Sequence, residues 1–193
     1  METQSANLNK EAIKYGVFFG LFNVVLFLIV YLIDFTLFVS FKLILLSIVI
    51  AIGALIFFSR TFRKLNGGFI TFNKLFQLLF ISYIVSILLG TVFTVILNTV
   101  IDPELPEHLK KTVMDNTYQW MHDWNVPDAK IDETMAEMEK QDFSPSFKNT
   151  TLKTFNKILV AAVMCPIFAA IYKKKNKEAD YEALLANESN QSS

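Results

Sequence analysis

Residues 75–101, LFQLLFISYIVSILLGTVFTVILNTVI, form a long apolar stretch without a single charged side chain. A membrane-crossing helix needs about 20 mostly apolar residues, so this stretch is long enough to cross with a tilt or to extend beyond the outer surface. Three further apolar runs lie at 15–33, 41–58 and 158–172. A charge at mid-bilayer usually marks a functional site, and the cores of these runs have none. The sequence predicts four membrane spans, and the uncharged cores remove the commonest sequence evidence for proton relays or ion-coupled transport.

The composition of the whole chain agrees with a membrane location. Of 193 residues, 53% are hydrophobic, 19 are phenylalanine, and the mean hydropathy is +0.39, which leaves too much apolar surface for a water-soluble domain of this size. The net charge of +0 gives no ground for a nucleic-acid partner. The one cysteine, Cys165, excludes an internal disulfide and is expected to be a buried structural thiol.

The positions of the charges predict the orientation. Basic residues cluster near 10–14, 60–74 and 173–177, whereas the connection 102–156 carries eleven acidic residues and six lysines. Lysine and arginine close to span ends favour the cytoplasmic side. Both termini are therefore expected in the cytoplasm, and the acidic connection outside.

We therefore predict an all-α fold, an integral membrane four-helix bundle with an amphipathic helical insert between transmembrane helices 3 and 4. Residues 1–14 are assigned to a cytoplasmic N-terminus, and 15–175 to the four-span domain, which includes the outer segment 102–156. Residues 176–193 are polar and are assigned to a disordered cytoplasmic tail. The first span is interpreted as a retained anchor, because its apolar core exceeds that of a signal peptide.

Small and polar residues at helical spacing predict where the spans pack, because helices in lipid associate by close approach and by interhelical hydrogen bonds. The predicted packing positions are Gly16, Gly20, Asn23, Ser82, Ser86, Gly90, Thr94 and Asn98. The last five recur every fourth residue and are called the stripe below. Ordinary bundle packing explains the stripe, and the alternative is a polar passage or ligand cleft.

The outer segment predicts two amphipathic helices, the first starting near Asp102 and the second after 125–128. Trp120 and Trp124 are predicted as an interface, against either the outer leaflet, the bundle or a protein, because tryptophan favours membrane interfaces. His108 and His122 would lie about 21 Å apart on one continuous helix, so no shared metal site is expected. No cofactor motif is present in the sequence.

Beyond the insert, Ser144 and Pro145 are predicted as the N-cap and first residue of the last helix. The single proline within the fourth span, Pro166, is expected to bend or loosen this helix.

The chain also resembles a known family. The resemblance lies in the KYG entry to the first span (Lys14, Tyr15, Gly16), the segment GGFITFNKLF at 67–76, the long third span, the acidic outer helices and the lysine-rich exit of the fourth span. These features are similar to the bacterial domain of unknown function 4199 family over roughly 10–175. The resemblance implies a small inner-membrane protein, mainly of Bacteroidota, and brings no catalytic or binding residue with it.

These observations favour a non-enzymatic, multi-pass protein of the bacterial inner (plasma) membrane, acting as an interaction or accessory subunit. Its expected partners are the lipid bilayer, a protein bound through the outer helices 105–142, and a second copy of itself. The alternative is a small oligomeric transporter or channel with a path along the stripe. A third hypothesis, a membrane enzyme, would use His108 or His122 with outer carboxylates.

Overall fold

The computed structural model describes residues 2–142, 144 and 146–174, and six α-helices account for most of them. The helices are α1 (Glu2–Ile33), α2 (Phe41–Leu65), α3 (Phe72–Ile96), α4 (Leu105–Asp123), α5 (Asp128–Glu139) and α6 (Phe147–Tyr172). A short 3-10 helix, Phe35–Val39, joins α1 to α2, and a π-helical turn, Leu97–Ile101, extends α3. Within the described residues no strand forms, and the all-α prediction is confirmed.

Four of these helices are long and apolar enough to cross a membrane, as predicted. The candidate spans are Asn7–Ile33, Phe41–Leu65, Phe72–Ile101 and Lys148–Tyr172. They exceed the predicted runs because a helix continues through polar residues as long as its backbone hydrogen bonds continue. The acidic helices α4 and α5 follow the third span and form the insert.

The N-cap of the last helix differs from the sequence prediction by two residues. Helix α6 begins at Phe147, where the hydroxyl of Ser146, not of Ser144, accepts the backbone N–H of Asn149 at 3.3 Å. As the predicted start near Ser144 already implied, the helix includes the lysines that precede the apolar run at 158–172. Pro145 and the tail 176–193 lie outside the described residues.

Helix α3 is the central element of the bundle. It packs most extensively against α1 and α6, and less against α2. The buried core lies toward the end of the bundle where α2 finishes and α3 begins, and includes Leu55, Phe62, Leu78 and Cys165. Tyr83 of α3 also donates a hydrogen bond to the backbone oxygen of Ala51 in α2, at 2.6 Å.

Helix α2 is much less covered at its other end. Of residues 41–49 only Leu43 is partly buried, and Val49 is 64% exposed. These side chains are aliphatic or aromatic apart from Lys42 and Ser47, so they present an apolar surface to lipid. This half of α2 is therefore little covered by its neighbours, and open cavities border it.

The connections have well-defined local structure. At the α1–α2 connection Asp34 accepts hydrogen bonds from the hydroxyl and the backbone N–H of Thr36, and these bonds lower the pKa of Asp34. At the α2–α3 connection Gly67 and Gly68 adopt φ angles of 72° and 88°, which glycine alone enters without steric cost. Ile70 and Lys174 then exchange two backbone hydrogen bonds, which tie this connection to the end of α6.

Candidate functional site

The GxxxG pair of α1 lies against α3, as a packing role requires. Gly16 and Gly20 are both buried. A Cβ atom on Gly16 would lie 2.6 Å from the backbone oxygen of Ser82, and one on Gly20 would lie 3.2 Å from the Cα of Ser86. The absence of a side chain at these glycines lets the two backbones touch.

The inner half of the stripe belongs to the same contact. The hydroxyl of Ser82 is fully buried, 2.8 Å from the backbone oxygen of Ala12 and 2.9 Å from that of Leu78. Ser86 is also buried, with 8% of its surface exposed. These two residues join α3 to α1 and do not face an open passage.

The outer half of the stripe has different surroundings. Gly90 and Thr94 line a cavity of ≈ 290 Å³, together with Asn23 and Ser47. We call this cavity the cleft. The side-chain amide of Asn23 donates to the backbone oxygen of Phe19 at 2.7 Å, so one of its donors is already used within α1.

Asn98 lies at a second, smaller space between α3 and α6. This space measures ≈ 60 Å³, and we call it the recess. Residues with hydroxyl, amide and ammonium groups line most of it: Thr91, Thr94, Asn98, Ser144, Thr150, Lys153, Thr154 and Lys157. The hydroxyls of Thr91 and Thr154 are 3.2 Å apart and bridge the two helices. The eight predicted packing residues therefore divide between a tight helix contact and two cavities.

Lys157 is the residue that sequence reasoning missed. It lies within the fourth span, one position before the apolar run at 158–172, and it lines both the cleft and the recess. Among the described residues its ammonium group has no hydrogen-bond or ion-pair partner. The sequence feature that could have revealed Lys157 is the N-terminal extension of the last helix. This extension brings Lys157 inside the segment that is long enough to span a membrane.

The outer module consists of α4 and α5, and it rests on the ends of α1 and α3. Tyr31 donates to one oxygen of Asp102 at 2.9 Å, and the other oxygen accepts the backbone N–H of Leu105 at 3.0 Å. The ring of His108 stacks on Phe35 of the α1–α2 connection, with 5.8 Å between centroids. These contacts seat the first half of α4 on the bundle.

Helix α5 folds back on α4 through few contacts. Asn125, with a φ of 53°, makes the turn between them, a conformation that asparagine tolerates better than most residues. Ile131 is the buried residue of α5, and Lys110 of α4 donates to the backbone oxygen of Glu139 at 2.7 Å. Most of α5 is exposed.

Trp120 and Trp124 lie together near the outer end of α2. Their ring centroids are 4.6 Å apart, and 56% and 68% of their surfaces are exposed. A space of ≈ 720 Å³ separates them from Phe41 and Ile44 at the start of α2. The predicted interface residues thus lie beside the exposed apolar surface of α2.

The segment between α5 and α6 is held by Asp142. Its carboxylate accepts hydrogen bonds from the hydroxyl and the backbone N–H of Ser144 and from the side-chain amide of Asn149, and these bonds lower the pKa of Asp142.

Across the described residues, no three histidine, cysteine or acidic side chains lie close enough to hold a metal ion.

Comparison with known proteins identifies the family. The family model described as protein of unknown function DUF4199 matches residues 14–174. No curated protein and no solved structure matches the chain. The matched region includes all four candidate spans apart from the first residues of α1, together with the outer module. The chain is therefore a member of the DUF4199 family of proteins of unknown function.

Proposed function

We propose that this protein is a non-enzymatic interaction or accessory subunit of the bacterial inner membrane, which binds a partner protein outside through its outer module. Its cytoplasmic termini follow from the basic residues at one end of the bundle. Arg60 and Lys173 lie at that end, whereas α4 and α5 lie at the other. Because basic residues favour the cytoplasmic side, the acidic module faces outward.

The observation that carries the proposal is the exposed acidic surface of α5. Asp128, Asp132, Glu133, Glu137 and Glu139 are all exposed. Among the described residues only Glu133 of this set pairs with a cation, Lys130, at 3.4 Å. Few of these carboxylates form ion pairs within the described part of the fold. Their negative charge fits a partner with a basic face.

The tryptophan pair has a separate role in this proposal. Trp120 and Trp124 lie beside the outer end of α2, so they orient α4 on the outer leaflet, where tryptophan is favoured. The partner surface is therefore the acidic side of α5 and not the tryptophan face.

In-cell photocrosslinking tests the proposal, with the crosslinker at Ala136, an exposed position of α5. The double reversal Glu133→Lys, Glu137→Lys should abolish a crosslinked protein product that the wild type gives. The matched control is Asp115→Lys, Asp123→Lys on α4, which makes the same charge change at exposed positions. The control should keep the product.

Two results would contradict the proposal. One is the absence of any protein product from Ala136 in the wild type. The other is an equal loss of product in both double variants, which would mean that overall charge, and not the α5 surface, is recognised. Membrane insertion of each variant is checked by its resistance to alkaline extraction.

The second candidate is a small oligomeric transporter or channel, and the cavities beside Gly90, Thr94 and Asn98 favour it. Within one copy the path would end at Ser82 and Ser86, which α1 covers. A path through an oligomer would have to use the outer half of the stripe. Leucine at Gly90 and Thr94 should then stop flux in reconstituted vesicles, and no flux in the wild type would remove this candidate.

A homo-oligomer is part of both proposals. Gly53 of α2 is exposed, and a Cβ atom there would meet nothing within 4 Å, so this small position is free for a second copy. Crosslinking between cysteines introduced at Gly53 tests self-association directly.

A further inference from the structure

The depth of Lys157 in the membrane is unusual for a charged residue. It lies sixteen residues before Lys173, or about 24 Å of helix at roughly 1.5 Å per residue. The hydrocarbon core is about 30 Å thick, and Lys173 marks its cytoplasmic edge. The backbone of Lys157 is therefore inside the outer part of the hydrocarbon region.

The direction of the lysine side chain matters as much as its depth. Side chains on a helix lean toward its N-terminus, and the N-terminus of α6 is its outer end. The ammonium group can thus reach outward toward the headgroup level while its methylene stem stays among apolar groups. An ammonium at this level without an internal partner calls for an anion from outside the chain.

The space around Lys157 has two parts with opposite character. On the outer side lies the recess, where Lys153 and the hydroxyls of Thr150 and Thr154 accompany it. On the inner side lies a groove of ≈ 530 Å³ between α2, α3 and α6. Aliphatic and aromatic side chains dominate the walls of this groove: Ile48, Ile52, Leu55, Ile87, Val160 and Met164.

The cations and hydroxyls lie on the outer side of Lys157, and the hydrocarbon walls lie on its inner side. This arrangement matches an amphiphile with an anionic head. We propose that the recess and the groove bind one anionic phospholipid of the outer leaflet, with its phosphate at Lys153 and Lys157 and an acyl chain in the groove. A water-soluble anion would leave the apolar groove unused. Two lysines and several hydroxyl donors suit the oxygens of a phosphate.

Titration of the purified full chain in detergent tests the proposal, with bound lipids counted by native mass spectrometry. The probes are phosphatidylglycerol and phosphatidylcholine with identical acyl chains. Lys157→Gln should weaken phosphatidylglycerol binding by about fivefold, the effect of one basic residue at a membrane surface, and weaken phosphatidylcholine binding less, because the choline ammonium already balances the phosphate charge of that lipid. The matched control, Lys148→Gln, removes the same charge from an exposed position of α6 that lines neither space, and should change nothing.

A second variant tests the acyl chain. Val160 lines the groove and is 62% exposed, so Val160→Trp can fill the groove without crowding the core. This variant should lower the binding of both lipids while both lysines remain in place. Helicity and thermal unfolding are compared for all variants, so that loss of fold is distinguished from loss of binding.

Three outcomes would overturn the inference. Lys157→Gln could bind phosphatidylglycerol as the wild type does, or Lys148→Gln could weaken it equally, which would indicate unspecific charge attraction. Alternatively, oleate could displace phosphatidylglycerol at equal concentration, which would assign the site to a free fatty acid instead of a phospholipid.

Discussion

Replacing Gly16 by alanine should separate α1 from α3. The added Cβ atom would lie 2.6 Å from the backbone oxygen of Ser82 and 2.9 Å from the Cβ of Val85. The first contact is with the backbone, so no side-chain rotation can relieve it, and one helix must shift against the other. The shift would also lengthen the hydrogen bond from Ser82 to the backbone oxygen of Ala12, now 2.8 Å.

The magnitude follows from three effects on the free energy of unfolding. Overpacking a close contact costs about 1–3 kcal/mol. Loss of one interhelical hydrogen bond in a membrane protein costs about 0.6 kcal/mol. Alanine is favoured over glycine inside a helix by about 1 kcal/mol. Together they predict that Gly16→Ala is destabilising by about 0.5–2.5 kcal/mol.

Gly53→Ala is the matched control, because a Cβ atom on Gly53 meets nothing within 4 Å. The helix-propensity gain is common to both variants, so their free energies of unfolding should differ by about 1.5–3.5 kcal/mol. Reversible unfolding by sodium dodecyl sulfate in dodecylmaltoside micelles, followed by circular dichroism, measures this difference. Equal stability of the two variants would refute the close contact between α1 and α3.

Three further predictions follow from other contacts. Trp120 lies in α4 and Trp124 directly follows it, so intrinsic fluorescence reports on the C-terminal end of that helix, and spin labels near the lipid headgroup should quench it more strongly than labels deep in the acyl chain; the reverse order would remove α4 from the interface. Ser82→Ala should lower the free energy of unfolding by about 0.6 kcal/mol, while Ser47→Ala, at an exposed hydroxyl bonded within its own helix, should leave it unchanged. The lowered pKa of Asp142 means that its stabilisation of the α6 entry is complete above the ordinary value of 3.8 and is lost as the pH falls through the lower folded value. The side-chain amide signal of Asn149, followed by nuclear magnetic resonance, should show this acid transition in the wild type and lack it in Asp142→Asn.

The candidate packing residues were predictable from the sequence to different degrees. Gly16, Gly20, Ser82 and Ser86 could be assigned to helix contacts because small residues at four-residue spacing have few other uses in lipid. Their partners could not be assigned, because every span carries such a row. The structure pairs α1 with α3, and among the described residues nothing lies within 4 Å of a Cβ atom built on Gly53.

Lys157 shows why the apolar runs alone were misleading. A hydropathy run ends at the first charged residue, so 158–172 excluded this lysine by construction. Helix α6 begins earlier, at Phe147, after the Ser146 cap. Its backbone hydrogen bonds form whether the side chains are polar or apolar, so the helix includes the polar residues before the run. The charge therefore belongs to the candidate span, although the predicted apolar run at 158–172 began one residue after it.

The sequence by itself determined the all-α class, the four spans, their order and the acidic insert, because each of these depends on local hydropathy and charge along one segment. Only the tertiary structure decided which helices touch, which part of α2 stays uncovered, and what surrounds the stripe. Those features depend on how side chains from different helices share space, and spacing along one helix carries no information about its neighbour. The cleft and the groove border α2, the recess lies between α3 and α6, and Lys157 lines all three.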